Sequence, residues 1–172
     1  MIKRDNSNRS EQILVPTDYS TYSFEAFPWA AIFADKFDAK ILILHVIPQS
    51  TADWMTSILG NPWDSILKQQ DSCMMEYFTS SMDADFNPAL EVDTLVRVGH
   101  AAPEIIETAK ERNTSIIVIS THGRTGRPYV FLGSVAEKVA RGAPCPVFTV
   151  KPSSFNKEDE TSFDEIHAFL AN

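Results

Sequence analysis

Glycine, serine and arginine residues are concentrated in one segment of the chain, between Ser120 and Ser134 (STHGRTGRPYVFLGS). Gly123 and Gly126 would let the backbone approach a phosphate group without a Cβ atom in the way. Gly133 precedes a stretch with helical periodicity, so the free N–H groups and the positive end of that helix would face the same point. This segment is therefore typical of a phosphate-binding loop.

The same segment carries positive charge and a helix start. Arg124 and Arg127 could pair with phosphate oxygens. Ser134 and Glu137 have the spacing of a capping box, which predicts that Ser134 caps the helix that follows. Because an N-cap hydroxyl lies beside the first amides of its helix, capping and anion binding are compatible roles for Ser134.

A second polar group follows the first apolar run of the chain, at Pro16, Thr17 and Asp18. A single carboxylate at the end of a strand can accept hydrogen bonds from the hydroxyl groups of a ribose. The Asp18 side chain is equally suited to a turn or to the cap of the following helix. The sequence leaves both roles open.

Five apolar runs predict the strands that must position these residues: 12–16, 40–47, 91–98, 116–119 and Val147–Val150. Helical spacing predicts four helices between them: one capped by Ser20 or Thr21 and irregular at Pro28, one over 61–82, one from Pro103, and one over 134–141 that ends at Gly142. We expect residues 50–60 to form an irregular connection. The rings of Trp54 and Trp63 in this middle part should pack in the core or contact a partner.

This alternation of apolar strands and amphipathic helices predicts an α/β fold. The arrangement we expect is an open, doubly wound, five-stranded parallel sheet with strand order 3-2-1-4-5 and helices on both faces. Ligands of such sheets bind beyond the carboxyl ends of the strands, at the point where the strand order reverses. The loops after the first and the fourth strand should meet there.

Composition limits the class of protein. A chain of 172 residues can form one domain with a substantial core. Its net charge of −8 argues against a general nucleic-acid binder, because phosphate contacts need a basic surface, but local dipoles can still hold a nucleotide. Cys73 and Cys145 lie far apart, which indicates a reducing compartment without a disulfide framework. With no apolar run near the roughly 18 residues of a membrane span and no hydrophobic signal region, we expect a cytoplasmic protein.

We divide the chain into a polar lead-in over 1–11, an α/β domain over 12–152 and an acidic tail over 153–172. The tail contains five acidic residues and one lysine. Ser162 and Glu165 have capping-box spacing within it. A short helix docked on this domain or on a partner, and a frayed tail, both stay open.

The runs ILVPTDYS, ILILHVIP and IIVISTHGRTGRPYVFLGSVAEKVARGAPCPVFTV resemble the universal stress protein family, over nearly the whole chain from Gln12 to Pro152. ATP-binding members of that family have Gly, two residues, Gly, nine residues, and then Gly followed by Ser or Thr. Gly123 and Gly133 keep the second part of this spacing, whereas Ser120 stands at the first glycine position. The resemblance implies ATP, with or without Mg²⁺, or another adenine nucleotide as the ligand.

The resemblance also implies a role for each site residue. The adenine and ribose side would be lined by Pro16, Thr17 and Asp18, with Val46 beside the base and Ile119 near the sugar. The phosphates would be surrounded by Gly123, Arg124, Gly133, Ser134 and Val135. The Ser120 hydroxymethyl could crowd the ribose or donate to a phosphate, so we expect weakened or altered binding. Family members commonly pair through the last strand, which implies a homodimer through Val147–Val150.

The sequence favours binding over catalysis. The common nucleophile and nucleotide-hydrolysis motifs are absent. No base or carboxylate partner can be assigned from the sequence to His45, His100, His122 or Cys145. Slow hydrolysis of bound ATP is the most we expect.

Two hypotheses about function follow. The first is an ATP-binding sensor or adaptor whose nucleotide state changes dimer or partner contacts. The second is a nucleotide-free protein-interaction module of the same fold in the stress response, favoured by Ser120 and the acidic tail.

Overall fold

A computed structural model describes residues 11–59, 63–81, 87–123 and 132–152. Its five strands are β1 Glu11–Thr17, β2 Ala39–Ile47, β3 Val92–Val98, β4 Ile116–Ser120 and β5 Val147–Val150. They form one sheet in the order β3-β2-β1-β4-β5, and every neighbouring pair is parallel. The predicted open sheet and its strand order are confirmed.

The described residues also form six helices: α1 Thr21–Phe24, α2 Ala26–Phe37, α3 Gln49–Leu59, α4 Trp63–Ser80, α5 Ala101–Glu111 and α6 Ser134–Gly142. On one face of the sheet, α2 packs on β1 and β2 and α4 packs on β3, and the two helices bury Phe27 and Phe78. On the other face, α5 and α6 bury Ile105 and Val139. Helices therefore cover both faces, as predicted.

The first helical region is interrupted near Pro28, as expected. Ser20 caps α1, and its side chain accepts a hydrogen bond from the Ser23 N–H. Pro28 has no N–H to donate to the Phe24 carbonyl four residues earlier. The helix breaks one residue after Phe24, at Glu25, and Pro28 lies in the first turn of α2, where a missing N–H costs little.

The prediction of an irregular connection over 50–60 is wrong, because Gln49–Leu59 forms the helix α3. Its polar composition resembles a loop, but Ala52 and Met55 are buried at helical spacing against β2 and β3. The Pro48 carbonyl accepts hydrogen bonds from two amides of the first turn and so starts the helix. Trp54 is 57% exposed, which excludes core packing for this ring.

Two predicted helix starts also need correction. The N-cap of α6 is Gly133 instead of Ser134, and it makes no side-chain hydrogen bond to the helix. The predicted capping box is therefore absent, and the Glu137 carboxylate pairs with Arg141 one turn later. Helix α5 begins at Ala101 with His100 as its N-cap, so Pro103 lies within the first turn.

Several predictions fall outside the described residues: most of the lead-in, the helix start at Asn61 and Pro62, the arginines Arg124 and Arg127, and the acidic tail. Within the described ranges, no helix is long and apolar enough to cross a membrane.

Candidate functional site

Asp18 lies in a tight turn at the carboxyl end of β1. Its Oδ1 atom accepts hydrogen bonds from the Ser20 backbone N–H at 3.1 Å and from the Ser20 hydroxyl at 2.6 Å. This is the turn role that the sequence left open. The Oδ2 atom is directed towards Gly123, where an added Cβ would lie 2.4 Å from it. One oxygen therefore holds the turn while the other faces the loop after β4.

Tyr19, which the sequence did not single out, is part of this turn and anchors it in the core. Its backbone has a φ of 63°, a left-handed conformation that is rare for an aromatic residue, and its side chain is buried. The ring packs 4.5 Å from the ring of His45, measured between centroids. His45 Nδ1 in turn donates to the Thr17 carbonyl at 2.9 Å. These contacts give His45 a structural role beside the Asp18 turn.

Three buried polar residues lie where β4 ends and its loop begins: Ser120, Thr121 and His122. The Ser120 hydroxyl accepts a hydrogen bond from the His122 backbone N–H at 3.3 Å. Thr121 Oγ1 and His122 Nδ1 lie 2.8 Å apart. These bonds tighten the chain as it leaves the sheet, so that Gly123 reaches the Asp18 carboxylate.

Gly133 returns the chain to the sheet and starts α6. Its N–H donates to the Thr121 carbonyl at 2.7 Å, which ties the two ends of the loop together. An added Cβ at Gly133 would lie 2.9 Å from that carbonyl oxygen. Because the cap is a glycine without a capping side chain, the first amides of α6 are open towards the space between the two loops. An anion placed there would meet the positive end of the helix dipole.

A cavity of about 280 Å³ lies between these segments. It is lined by every predicted site residue except Arg124, which lies outside the described residues: Pro16, Thr17, Asp18, Val46, Ile119, Ser120, Gly123, Gly133, Ser134 and Val135. The described ends of the loop after β4 therefore meet the turn after β1, as the topology predicts. The volume is near the lower end of the roughly 300 to 1,000 Å³ usual for small-molecule sites.

The cavity also has lining residues that the sequence did not indicate: Ser23, Leu44, Pro48, Gly99, Ala101, Ile105, Thr121, His122 and Ala136. Thr121 and His122 lie inside the predicted loop segment and could have been included from their position alone. Gly99 and Ala101 follow β3, and their presence here depends on how α5 crosses the sheet.

The two sides of the cavity differ in chemistry. The side formed by β2 and α5 is apolar, with Leu44, Val46 and Ile105. The side formed by β4 and α6 contains two serines, Ser120 and Ser134, and the open helix start. Asp18 at the end of β1 lies between them, because β1 is the strand between β2 and β4. Such a site suits a ligand with a flat apolar part, a hydroxyl-bearing centre and an anionic end.

The two cysteines are not activated as nucleophiles. Burial raises the pKa of the Cys145 thiol, and burial together with the nearby Glu76 carboxylate raises the pKa of the Cys73 thiol. A raised pKa lowers the thiolate fraction at neutral pH. Within the described part of the chain, no group of three or more His, Cys, Asp or Glu side chains could hold a metal ion.

Comparison with known sequences gives consistent matches. The profile of the universal stress protein family matches residues 10–151. Universal stress protein MJ0531 of Methanocaldococcus jannaschii is 31% identical over 159 residues, which covers 87% of this chain and 87% of that protein.

Solved structures show the same architecture. The structure of protein MJ0577, also from M. jannaschii, superposes with a TM-score of 0.68 at 26% identity and covers 84% of this chain and 98% of the other. Two structures that are similar in fold hold adenine nucleotides. One is a universal stress protein in complex with cAMP, with a TM-score of 0.58 at 22% identity over 84% of this chain and 98% of the other. The other is the Archaeoglobus fulgidus universal stress protein in complex with dAMP, with a TM-score of 0.57 at 19% identity over 83% and 98% of the two chains.

Proposed function

This chain belongs to the universal stress protein family, and from that premise we propose that it binds an adenine nucleotide, ATP in the first instance, in the cavity between β1 and β4. Nucleotide occupancy then changes its contacts with a second copy or with a partner protein. The protein acts as a sensor or adaptor in the cytoplasm, and binding is its main activity.

The observation that carries this proposal is the meeting of three features in one cavity. These are the Asp18 carboxylate, the close approach of the Gly123 backbone to that carboxylate, and the start of α6 at Gly133, which lacks a capping side chain. A carboxylate suits ribose hydroxyls, and an open helix start suits a phosphate. The adenine nucleotides bound by two proteins of the same fold support this ligand class.

The proposed orientation follows from the two sides of the cavity. The base lies on the apolar side, against Val46, with Pro16 and Thr17 at its edge. The sugar lies between Asp18 and Ile119. The phosphates face the polar side, formed by Gly123, Gly133, Ser134 and Val135. Arg124, outside the described residues, is proposed as a phosphate partner because its guanidinium suits phosphate oxygens.

Titration of the purified protein with ATP tests the proposal directly. We expect saturable heat on calorimetry and a raised melting temperature, because a ligand at 100 times its Kd stabilises the folded state by about 2.7 kcal/mol. Titrations with AMP, with GTP and with ATP in the absence of Mg²⁺ separate the contributions of the phosphates, the base and the metal. If millimolar Mg-ATP produced neither heat nor stabilisation, the proposal would be wrong and the nucleotide-free interaction module would be favoured.

Ser120 is expected to reduce affinity through the volume of its side chain. It lines the cavity at the position where ATP-binding relatives have glycine, and its hydroxyl already accepts the His122 N–H. We expect Ser120→Gly to bind ATP up to about tenfold more tightly, since one methylene group can change discrimination by about this factor.

Ser120→Ala separates the volume of this side chain from its hydrogen bonding. If the Cβ atom crowds the ligand, the alanine variant binds ATP no more tightly than the wild type. Weaker binding by both variants would contradict the crowding and would indicate that the hydroxyl donates to the nucleotide.

We further propose a homodimer in which β5 pairs with the same strand of a second copy. Among the described strands, β5 has β4 as its neighbour on one side and none on the other. The cavity is joined to this edge by two hydrogen bonds: Gly133 N–H donates to the Thr121 carbonyl, and Thr121 N–H donates to the Val150 carbonyl at 2.8 Å. A shift of the loop on nucleotide binding would therefore reach β5 directly, and this supports coupling between occupancy and association.

A further inference from the structure

A partly exposed apolar surface lies beside the edge of β5 that no described strand pairs with. Trp29 and Ile32 of α2 are 44% and 49% exposed, although both side chains are large and apolar. The Phe148 ring of β5 lies 5.5 Å from the Trp29 ring and 5.0 Å from the Phe33 ring, measured between centroids. We call Trp29, Ile32, Phe33 and Phe148 the aromatic face. Single exposed apolar residues are common on protein surfaces, but a continuous group of this kind marks an interaction site.

We infer that the aromatic face is the centre of the interface between two copies of this chain, in contact with the same face of the second copy. The inference rests on the β5 pairing in the proposed function and adds to it the surface that provides most of the contact. Phe148 links the two parts, because its backbone belongs to the edge strand and its ring belongs to the aromatic face.

The symmetry of strand pairing brings the two aromatic faces together. Antiparallel pairing of β5 with its own copy requires a two-fold axis perpendicular to the sheet. Rotation about that axis keeps the α2 side of both copies on the same side of the extended sheet. Each α2 would then flank the axis, and the two aromatic faces would meet across it.

The area of contact also requires more than the strand. Four residues of β5 extend about 13 Å, and strand pairing alone would bury only roughly 130 Å² per copy if the sheet is about 10 Å thick. A stable interface buries about 800 Å² per partner. Aromatic side chains bury about 150–250 Å² each, and Trp29 and Ile32 still expose 44% and 49% of their surface, so the aromatic face supplies part of the difference.

Charge favours a second copy as the occupant. The chain has a net charge of −8, so two copies repel each other over most of their surfaces. Residues 26–34 of α2 and residues 147–150 of β5 contain no charged side chain. These two segments therefore place no charged side chain of their own in the proposed contact.

Substitution of the aromatic face tests the inference, with the dimer Kd measured by sedimentation over a concentration series. Trp29→Ala and Ile32→Glu should each raise the dimer Kd by about tenfold or more, because truncation of a central aromatic residue or a new like-charge pair acts twice in a symmetric interface. The matched controls are Trp54→Ala and Ile58→Glu on α3, where the side chains are 57% and 59% exposed. These controls should leave the dimer Kd unchanged.

The possible outcomes separate this inference from the proposed function. ATP calorimetry on Ile32→Glu should still show binding, because Ile32 does not line the cavity. If blocking the β5 edge abolished the dimer but Trp29→Ala and Ile32→Glu did not weaken it, the inference would be wrong and the edge pairing would stand. A wild-type chain that sediments as a monomer at 100 µM would overturn both the inference and the proposed dimer, without bearing on nucleotide binding.

A local probe identifies what covers Trp29. In a chain with Trp54→Phe and Trp63→Phe, Trp29 is the remaining tryptophan. Its emission should shift to the blue, and acrylamide quenching should fall, as the protein concentration rises through the dimer Kd. Protection that is independent of concentration would mean that another part of the same chain covers the face, and the inference would fail.

Discussion

Gly123→Ala is expected to weaken ATP binding by about a hundredfold or more while the chain stays folded. The added Cβ would lie 2.4 Å from Asp18 Oδ2, which is closer than a Cβ atom can approach a non-bonded oxygen atom. The carboxylate must therefore rotate away from the proposed sugar position. Two hydrogen bonds from ribose hydroxyls to a charged group contribute about 1.5–3 kcal/mol each, and their joint loss gives the expected factor.

The control for this variant is Gly142→Ala, another glycine at which an added methyl group meets a neighbour. There the contact is the Ile106 Cδ1 atom, at 2.7 Å, which is the end of a flexible side chain outside the cavity. We expect its ATP affinity to equal that of the wild type. The comparison separates the effect of the site from the general effect of a Gly→Ala change on a folded chain.

A double-mutant cycle with Asp18→Ala identifies the mechanism of the loss. Asp18→Ala removes the carboxylate and should itself weaken binding by a similar factor. With the carboxylate gone, Gly123→Ala meets no oxygen and should cost little more, so the two losses should not add. Additive losses in calorimetry would show that Gly123 acts on the nucleotide directly and would contradict the contact with Asp18 as the cause.

Thr149→Pro is expected to raise the dimer Kd by about a hundredfold or more. The carbonyls of Pro146 and Val150 accept hydrogen bonds from Ile117 of β4 and from Thr121, which follows β4. Backbone groups alternate in direction along a strand. The N–H of Thr149 therefore points to the open edge, and its side chain is exposed. Proline removes this donor without loss of a bond to β4. By symmetry two hydrogen bonds are lost, each leaving a buried acceptor that costs about 1–3 kcal/mol.

Thr149→Val is the matched control, because it keeps the N–H and removes the hydroxyl. Its dimer Kd should stay within a few-fold of the wild-type value. If Thr149→Pro dimerised like the wild type, the pairing of β5 edges would be excluded.

The same variant tests the coupling between association and nucleotide binding. Linkage requires that the factor by which ATP changes the dimer Kd equals the factor by which dimerisation changes the ATP Kd. A monomeric Thr149→Pro chain should therefore show a changed ATP affinity, although Thr149 does not line the cavity. An ATP affinity identical in monomer and dimer would contradict the route from Gly133 through Thr121 to Val150.

The order of the sheet and the pairing of its two loops could be predicted from local patterns. Continuous apolar runs identified the strands, and the observed β5 has the predicted bounds Val147–Val150. Alternation with helices then restricted the topology, because right-handed crossovers allow few arrangements. The spacing from Gly123 to Gly133 identified the loop whose described ends line the cavity. These features depend on the spacing of apolar residues, which can be read from the sequence, and on the right-handed crossover, which is common to all such chains.

Helix α3 and the cap of α6 show where local patterns failed. The polar residues of α3 have weak helical preference, and the helix forms because Ala52 and Met55 find burial against two strands. At α6, the extended backbone of Gly133 makes it the cap, although Ser134 has the better side chain for that role. In both cases contacts or backbone geometry outweighed propensity.

The sequence by itself determined the fold, the strand order and the segments that form the cavity. The tertiary structure decided which atoms meet: Asp18 Oδ2 against Gly123, Ile105 of α5 on the apolar side, and Phe148 beneath Trp29. These residues are separated by about a hundred positions or lie on elements joined by long crossovers. Their contacts depend on how helices pack on a twisted sheet, and the period of a pattern contains no information about that packing.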